Sequence, residues 1–485
     1  MSAISIPAIN LSAIAPEITL TITAALLLLM EVFAEKKGRD HLGYVALGGV
    51  ALAGLFTFWL KDFPQTAFSG LYVVDNFSTF FKLVFLIGTG LSILISIKYG
   101  EDEDIDNGEY YAMLLFTTIG MFFLASGDDM ITIFMGLEVL SISLYVLAGY
   151  TRARDISNEA SVKYFILGAL SSGFLLYGIA LIYGATGSTN LHTVGKMIAS
   201  NFGNNVTITL GAAMIMTALC FKIAAVPFHM WTPDVYQGAP TPVTAFMSAG
   251  PKAAAFAAFI RIFAEAFPSL SGEWWQIMWV LAALTMTVGN VVALMQNNVK
   301  RMLAYSSISH AGYVLVGFTA GTEAATSGIL FYMLAYTFMN IGAFAIVTAV
   351  GSKGEKRIYF QDYTGLGYKY PLMGFALCVA LFSLAGIPPT AGFVGKFYVF
   401  IAAIDKGYIY LAIIGVMNSV VSVFYYLRLT IYMYMKEEAD RESPAVTFAP
   451  SLIAATVIAV TGVLWLGVMP GDYIEFAKSA FLKFQ

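Results

Sequence analysis

Charge is scarce in this sequence. Asp, Glu, Lys and Arg make up 12% of its 485 residues, about half the share of a soluble domain, while 59% are hydrophobic. Water could not solvate so much apolar surface, which excludes the roughly three soluble domains that length alone would suggest. Cysteine is scarcer still. Cys220 and Cys378 both sit in apolar runs, too few for a disulfide framework, a four-cysteine zinc site or a self-contained iron–sulfur cluster. Four histidines without a His-rich pair leave no expected metal ligand and no haem site. There is no Gly-x-x-x-x-Gly-Lys nucleotide loop either. Net charge is −4, from 26 basic and 30 acidic residues, so the basic excess of a nucleic-acid binder is missing.

What the chain has instead is long apolar runs. At about 20 residues per crossing, the sequence predicts an all-α polytopic membrane protein with about fourteen transmembrane helices. They fall at 11–33, 41–61, 76–97, 110–126, 129–150, 160–185, 206–228, 240–263, 274–296, 301–320, 325–350, 371–403, 408–434 and 448–469. The first run lacks a basic leader or a small-residue cleavage site and reads as a retained helix. An even number of spans puts both termini on one side. Connections on the other side carry fourteen basic residues, including Lys36, Lys37, Arg39, Arg154, Lys300, Arg301, Lys353 and Arg441; the terminus side carries six, including Arg261 and Lys483. The bias places both termini outside the cytoplasm.

Two spans contain proline at depth. Ala224-Ala225-Val226-Pro227 in span 7 matches Ala385-Gly386-Ile387-Pro388 in span 12, 161 residues and five spans later. An odd separation inverts the second copy, the symmetry many transporters use. Span 12, at 33 residues, would run about 50 Å as one helix against a hydrocarbon core of about 30 Å. Both spans are therefore expected to be broken, since freed backbone at this depth needs protein or water to satisfy it.

Six basic residues remain inside spans: Lys82, Lys163, Lys222, Lys252, Lys396 and Arg428; Glu138 lies mid-span in the fifth. Each such charge costs about 2.5–3.5 kcal/mol at mid-membrane. Glu138, Lys222, Lys252 and Lys396 must therefore face the interior. Lys82 and Arg428, near span ends, are expected to snorkel; Lys163 is open to either reading. Polar stripes at helical spacing accompany them: Thr244-Ser248-Lys252, Glu138-Ser141-Tyr145, Ser306-His310-Tyr313 and Tyr332-Tyr336-Asn340. A single intramembrane histidine is ordinarily a satisfied core residue, but His310 lies on such a stripe and stays a candidate. Burial works against a charged amine and a nearby carboxylate restores it, so a Glu–Lys pair of variable separation is a switchable proton donor. The chain has no means of supplying the energy and needs partners.

The string from Val226 to Val243, VPFHMWTPDVYQGAPTPV, and the string from Lys300 to Tyr313, KRMLAYSSISHAGY, resemble the antiporter-like membrane subunits of respiratory complex I. The resemblance covers essentially the whole chain. It implies two inverted five-helix repeats with broken helices 7 and 12, dividing the chain into 1–109, 110–267, 268–435 and 436–485. It also implies catalytic roles for Glu138, Lys163, Lys222, Lys252 and Lys396. Protons would be taken up near Glu138, Lys163 and Lys222, pass Lys252 and leave near Lys396. NADH, FMN, iron–sulfur clusters and quinone would then belong to partner subunits. The implied setting is a bacterial inner membrane, among peripheral subunits and sister antiporter-like subunits. Subunits of multi-subunit sodium/proton antiporters share this fold and the Glu–Lys pair, but the Asp234–Gly238 wording favours complex I. A pure scaffold would have little use for aligned buried lysines.

Overall fold

A computed structural model of the chain describes residues 10–33, 40–105, 107–201, 205–351, 353–436 and 446–481. Lys36, Lys37, Arg39, Arg441 and Lys483 lie outside the described residues. The helices are α1 Ala15–Phe33, α2 Asp40–Trp59, α3 Asn76–Glu103, α4 Gly108–Ser126, α5 Met130–Ala148, α6 Asp155–Thr186 and α7 Leu191–Asn201. They continue with α8 Val206–Ile223, α9 Thr232–Gly238, α10 Thr241–Glu265, α11 Ser271–Leu294, α12 Val299–Ala320 and α13 Glu323–Val350. The last six are α14 Leu366–Lys369, α15 Pro371–Ala385, α16 Ala391–Asp405, α17 Ile409–Tyr434, α18 Pro450–Val468 and α19 Gly471–Ser479. A short antiparallel hairpin, β1 Gln65–Ala67 with β2 Tyr72–Val74, sits before α3, with Thr66 opposite Val73.

Among the described residues twelve helices are long and apolar enough to cross a membrane, and the chain is a multi-pass membrane protein. Two of the fourteen expected spans are not among the twelve. One is α12, diluted by Lys300, Arg301, Ser306, Ser307, Ser309 and His310. The other is 371–403, which divides into α15 and α16 of 15 residues each. The expected seventh span also stops early, at Ile223, before a non-helical turn and the short α9.

Helices α10 and α13 form the centre, with nearly every residue buried. The Ala253–Ala255 and Ala257–Ala258 runs in α10 let neighbours approach closely, as small residues do between membrane helices. Around them α1, α2, α6, α11, α17 and α18 turn Leu, Ile, Val and Phe outward.

The two breaks are built alike. At the end of α8, Ala224 takes the left-handed conformation and its N–H and that of Ala225 return to Phe221 O and Cys220 O. At the end of α15, Gly386 is left-handed, and its N–H and that of Ile387 return to Ser383 O and Phe382 O. These are the C-terminal caps that satisfy the last carbonyls of a helix. They pair Ala224 with Gly386, 162 residues on, and correct the sequence alignment of Ala224 with Ala385 by one residue. The Val226–Pro227 and Pro388–Pro389 bonds are both cis.

A second set of bonds repeats earlier in each half. Met130 N–H donates to Thr189 O and Leu191 N–H to Asp128 O; Val299 N–H donates to Ile358 O and Phe360 N–H to Asn297 O. All four atoms recur 169 residues later, next to the side-chain caps Asp129 on α5 and Asn298 on α12. By that register Ser307 stands in α12 where Glu138 stands in α5.

Candidate functional site

Helix α8 ends at Ile223, which leaves Lys222 in its last turn and fully inside the bundle, 7% exposed. Its Nζ donates to Ser141 Oγ on α5 at 2.8 Å and lies 5.9 Å from the centre of the Tyr145 ring. Glu138, one turn before Ser141, is half-buried and accepts instead from Ser172 Oγ on α6. Glu138 and Lys222 thus share one place between α5, α6 and α8, yet no ion pair joins them. Ser171 donates to Ala218 O at 3.1 Å and ties α6 to α8 behind the pair.

Lys252 follows Pro251 in α10 and crosses to α12, where its Nζ donates to the Ser307 carbonyl at 2.9 Å and to Ser307 Oγ. Lys396, on α16, reaches back over the break. It donates to Leu384 O and Ala385 O, at 2.9 and 3.0 Å, and to Ser419 Oγ of α17 at 2.9 Å. Those carbonyls are the unsatisfied end of α15, so the ammonium takes the place of a helix-capping cation. Its other neighbour is the face of Tyr313, 4.6 Å away.

A group of hydrogen-bonded side chains lies between the two lysines. From Ser306, beside Ser307, hydrogen bonds run to Tyr426 OH, on to His310 Nε2 at 3.1 Å, and from His310 Nδ1 to Tyr332 OH at 2.6 Å. Tyr313 bonds to Asn290, which accepts from Tyr425 OH. The expected Ser306-His310-Tyr313 stripe is therefore joined in part: Ser306 and His310 share Tyr426, while Tyr313 meets the His310 ring edge-on. The Thr244-Ser248-Lys252 stripe is not joined. Thr244 donates to backbone carbonyls, among them Tyr236 O, and Ser248 to Ala245 O, while Asn340 reaches Ser248 from α13.

Lys163 is set apart from this line. It is part-exposed on α6 and pairs with Glu159 at 2.6 Å and Asp234 of α9 at 2.9 Å; Asp234 also holds Arg301 of α12 at 2.7 Å.

A family profile described as NADH:quinone oxidoreductase/Mrp antiporter, TM, matches residues 127–422. NADH-quinone oxidoreductase subunit N of Trichlorobacter lovleyi is 52% identical over 97% of both chains. The chain belongs to the subunit N family. In solved structures it is similar to a chain of respiratory complex I from Thermus thermophilus, with a TM-score of 0.81, 36% identity, and coverage of 95% of this chain and 98% of that one. A chain of the Mrp complex from Dietzia sp. DQ12-45-1b has the same fold, with a TM-score of 0.84, 24% identity and 97% coverage of each.

In this subunit N family member, sequence reasoning missed several buried charges. Lys82 does not snorkel: it is 1% exposed, and its Nζ lies 2.9 Å from Glu17 of α1 and 2.7 Å from Tyr72 OH. Arg428 is only half-buried; its guanidinium donates to Leu294 O, Gln296 O and Asn297 Oδ1 at the end of α11, the last of these at an exposed position. Arg261, counted with a loop, is 1% exposed, gripping Asp75 at 2.9 Å and Ala125 O. Lys300 is fully buried and pairs at 2.9 Å with Glu355, a loop residue that is itself 4% exposed. Glu355 also meets Arg154 at 3.2 Å and accepts from Tyr99 OH and from Thr241 N–H and Oγ. Burial alone would raise its carboxyl, but Lys300, then Arg154 and Thr241, outweigh burial and hold it at about 2. No local signal in the Lys353–Arg357 loop marks Glu355 as different from a solvated acid.

Proposed function

We propose that this chain is the proton-translocating subunit N of a bacterial NADH–quinone oxidoreductase, which acts as a translocase without a redox centre of its own. The observation that carries this reading is a division among the buried cations. Lys82, Arg261 and Lys300 each have a carboxylate. Lys222, Lys252 and Lys396 form no ion pair among the described residues and hydrogen-bond to hydroxyl and carbonyl oxygens. An ammonium buried without counter-charge is costly in a way a neutral amine is not. Structural anchoring has no need of it, whereas a relay of protons does.

The proposed route takes up protons near Glu138, Lys163 and Lys222, passes them to Lys252, and releases them beyond His310 and Lys396. Lys163 lies about 14 Å from Ser172 along α6 at 1.5 Å per residue, so it and Asp234 flank the uptake path without touching Glu138. Tyr145 OH, Tyr236 OH, Tyr336 OH and Asn340 Oδ1 are buried without a protein hydrogen bond. Buried polar groups of that kind are ordinarily completed by water, which would carry protons between the lysines. The equivalent caps and bridges support two inverted five-helix repeats at 110–267 and 268–435. NADH, FMN, iron–sulfur clusters and quinone are assigned to partner subunits. The chain is placed in the inner membrane with both termini on the non-cytoplasmic side.

Lys222→Ala or Glu138→Ala in the assembled complex should lower proton pumping and quinone reduction at least tenfold while the subunits still co-purify. Wild-type pumping in both variants would remove the pair from the route. Co-purification also checks the assembly: NADH-dehydrogenase and iron–sulfur subunits are expected, whereas small antiporter subunits alone would overturn the reading.

A further inference from the structure

Beyond the lysine line, one cluster has unbalanced charge. It lies on the face at which α1 starts, where the turn between α4 and α5, the end of α10 and the start of α7 meet. Asp128, His192 and Glu265 each present a ligand atom there, all within 4.8 Å of one another. His192 Nε2 is 3.5 Å from Asp128 Oδ1 and 3.7 Å from Glu265 Oε2. Those two carboxylate oxygens are inaccessible and accept no hydrogen bond, although Asp128 is 9% exposed and the Glu265 side chain 10%. Two carboxylates aimed at one spot repel unless a proton or a cation lies between them.

The guanidinium nearby is engaged elsewhere, which leaves that spot to a proton or a cation. Arg261 touches Glu265 through Nη1 at 3.4 Å, but its Nη2 is held by both oxygens of Asp75. Asp129 is occupied by Ile131 N–H and Thr189 Oγ. Three carboxylates, Asp75, Asp128 and Glu265, therefore face one guanidinium and one imidazole.

We propose that Asp128, His192 and Glu265 form a binding site for a divalent transition-metal cation, with Zn²⁺ the best match to one imidazole and two carboxylates. Three protein ligands plus a water make an open tetrahedral Zn²⁺ site, with bonds of about 2.0–2.2 Å. The frame is fixed before binding: Asn190, two residues before His192, bonds to Asp128 O at 3.1 Å, and Leu191 N–H bonds to the same carbonyl at 3.1 Å. The imidazole, 59% exposed, is the side from which the ion arrives.

The test is Zn²⁺ stoichiometry on the purified complex, by equilibrium dialysis at fixed free Zn²⁺ and elemental mass spectrometry. His192→Ala and Glu265→Gln are each expected to bind one equivalent fewer than wild type. His192→Ala, a change at an exposed side chain, should keep wild-type turnover in zinc-free buffer. If Glu265→Gln fails to assemble, His192→Ala decides the matter alone. Retention of the wild-type equivalent in His192→Ala would overturn the site, as would the absence of Zn²⁺ binding in the wild type.

Discussion

Among single residues, the charge of the partner separates the buried cations, and burial does not. Lys82 and Lys252 are equally enclosed, but one faces Glu17 and the other Ser307. Replacing one member of a buried ion pair strands its partner at about 3–5 kcal/mol, while replacing an ammonium that has no carboxylate partner strands no charge and removes the cost of keeping it buried. Lys252→Met is therefore expected to leave the melting temperature of the complex unchanged or higher while proton pumping falls at least tenfold. Equal losses of stability and pumping would mark Lys252 as a packing residue. This distinction was half legible in the sequence. The cost of a mid-span charge singled out Lys222, Lys252 and Lys396, but it assumed that charges near span ends reach water. Lys82 does not, because Glu17 is nearer.

Among elements, the broken helices matter most. Proline at depth and the excess length of 371–403 located both breaks in advance. The register of the match was one residue off, because the equivalent feature is the left-handed cap and not the Gly/Ala–Pro string. Gly386 takes φ of 87°, and a Cβ there would stand 3.0 Å from Lys396 Cδ and 3.2 Å from its Nζ. Gly386→Ala should cost about 1–2 kcal/mol, the left-handed penalty for a residue with Cβ, and displace Lys396 from its carbonyls. Lower thermal stability together with lower pumping is the expected pair of results. Ala224 already bears that penalty at φ 61°, so Ala224→Gly should raise stability by up to about 1 kcal/mol. A loss of stability in Ala224→Gly would show that the cap does not govern the break.

Over the whole molecule, Glu355 joins distant parts of the chain: Tyr99 of α3, Arg154 before α6, Thr241 of α10 and Lys300 of α12. Its carboxyl is held at about 2 against an ordinary 4.5. A depressed carboxylate contributes stability that is complete above its unfolded value and is lost as pH falls through its folded one. The contribution is on the order of 3 kcal/mol and should disappear between about pH 4.5 and pH 2. Glu355→Gln should therefore destabilise the complex near neutrality and flatten its acid-induced loss of stability in that window. An unchanged pH profile in detergent unfolding would deny Glu355 this role. The sequence placed Glu355 in a basic loop and could not show that this loop folds inward.

The sequence by itself determined the membrane class, the positions of the spans, the two helix breaks and the shortlist of costly mid-span charges. Each follows from a local quantity: the length of an apolar run, the missing N–H of proline, or the price of one ion in hydrocarbon. Tertiary structure alone decided which charges are matched. Partners such as Glu17 with Lys82, Asp75 with Arg261 and Glu355 with Lys300 lie 55 to 186 residues apart, and electrostatic energy depends on distance in space, which spacing along the chain does not encode.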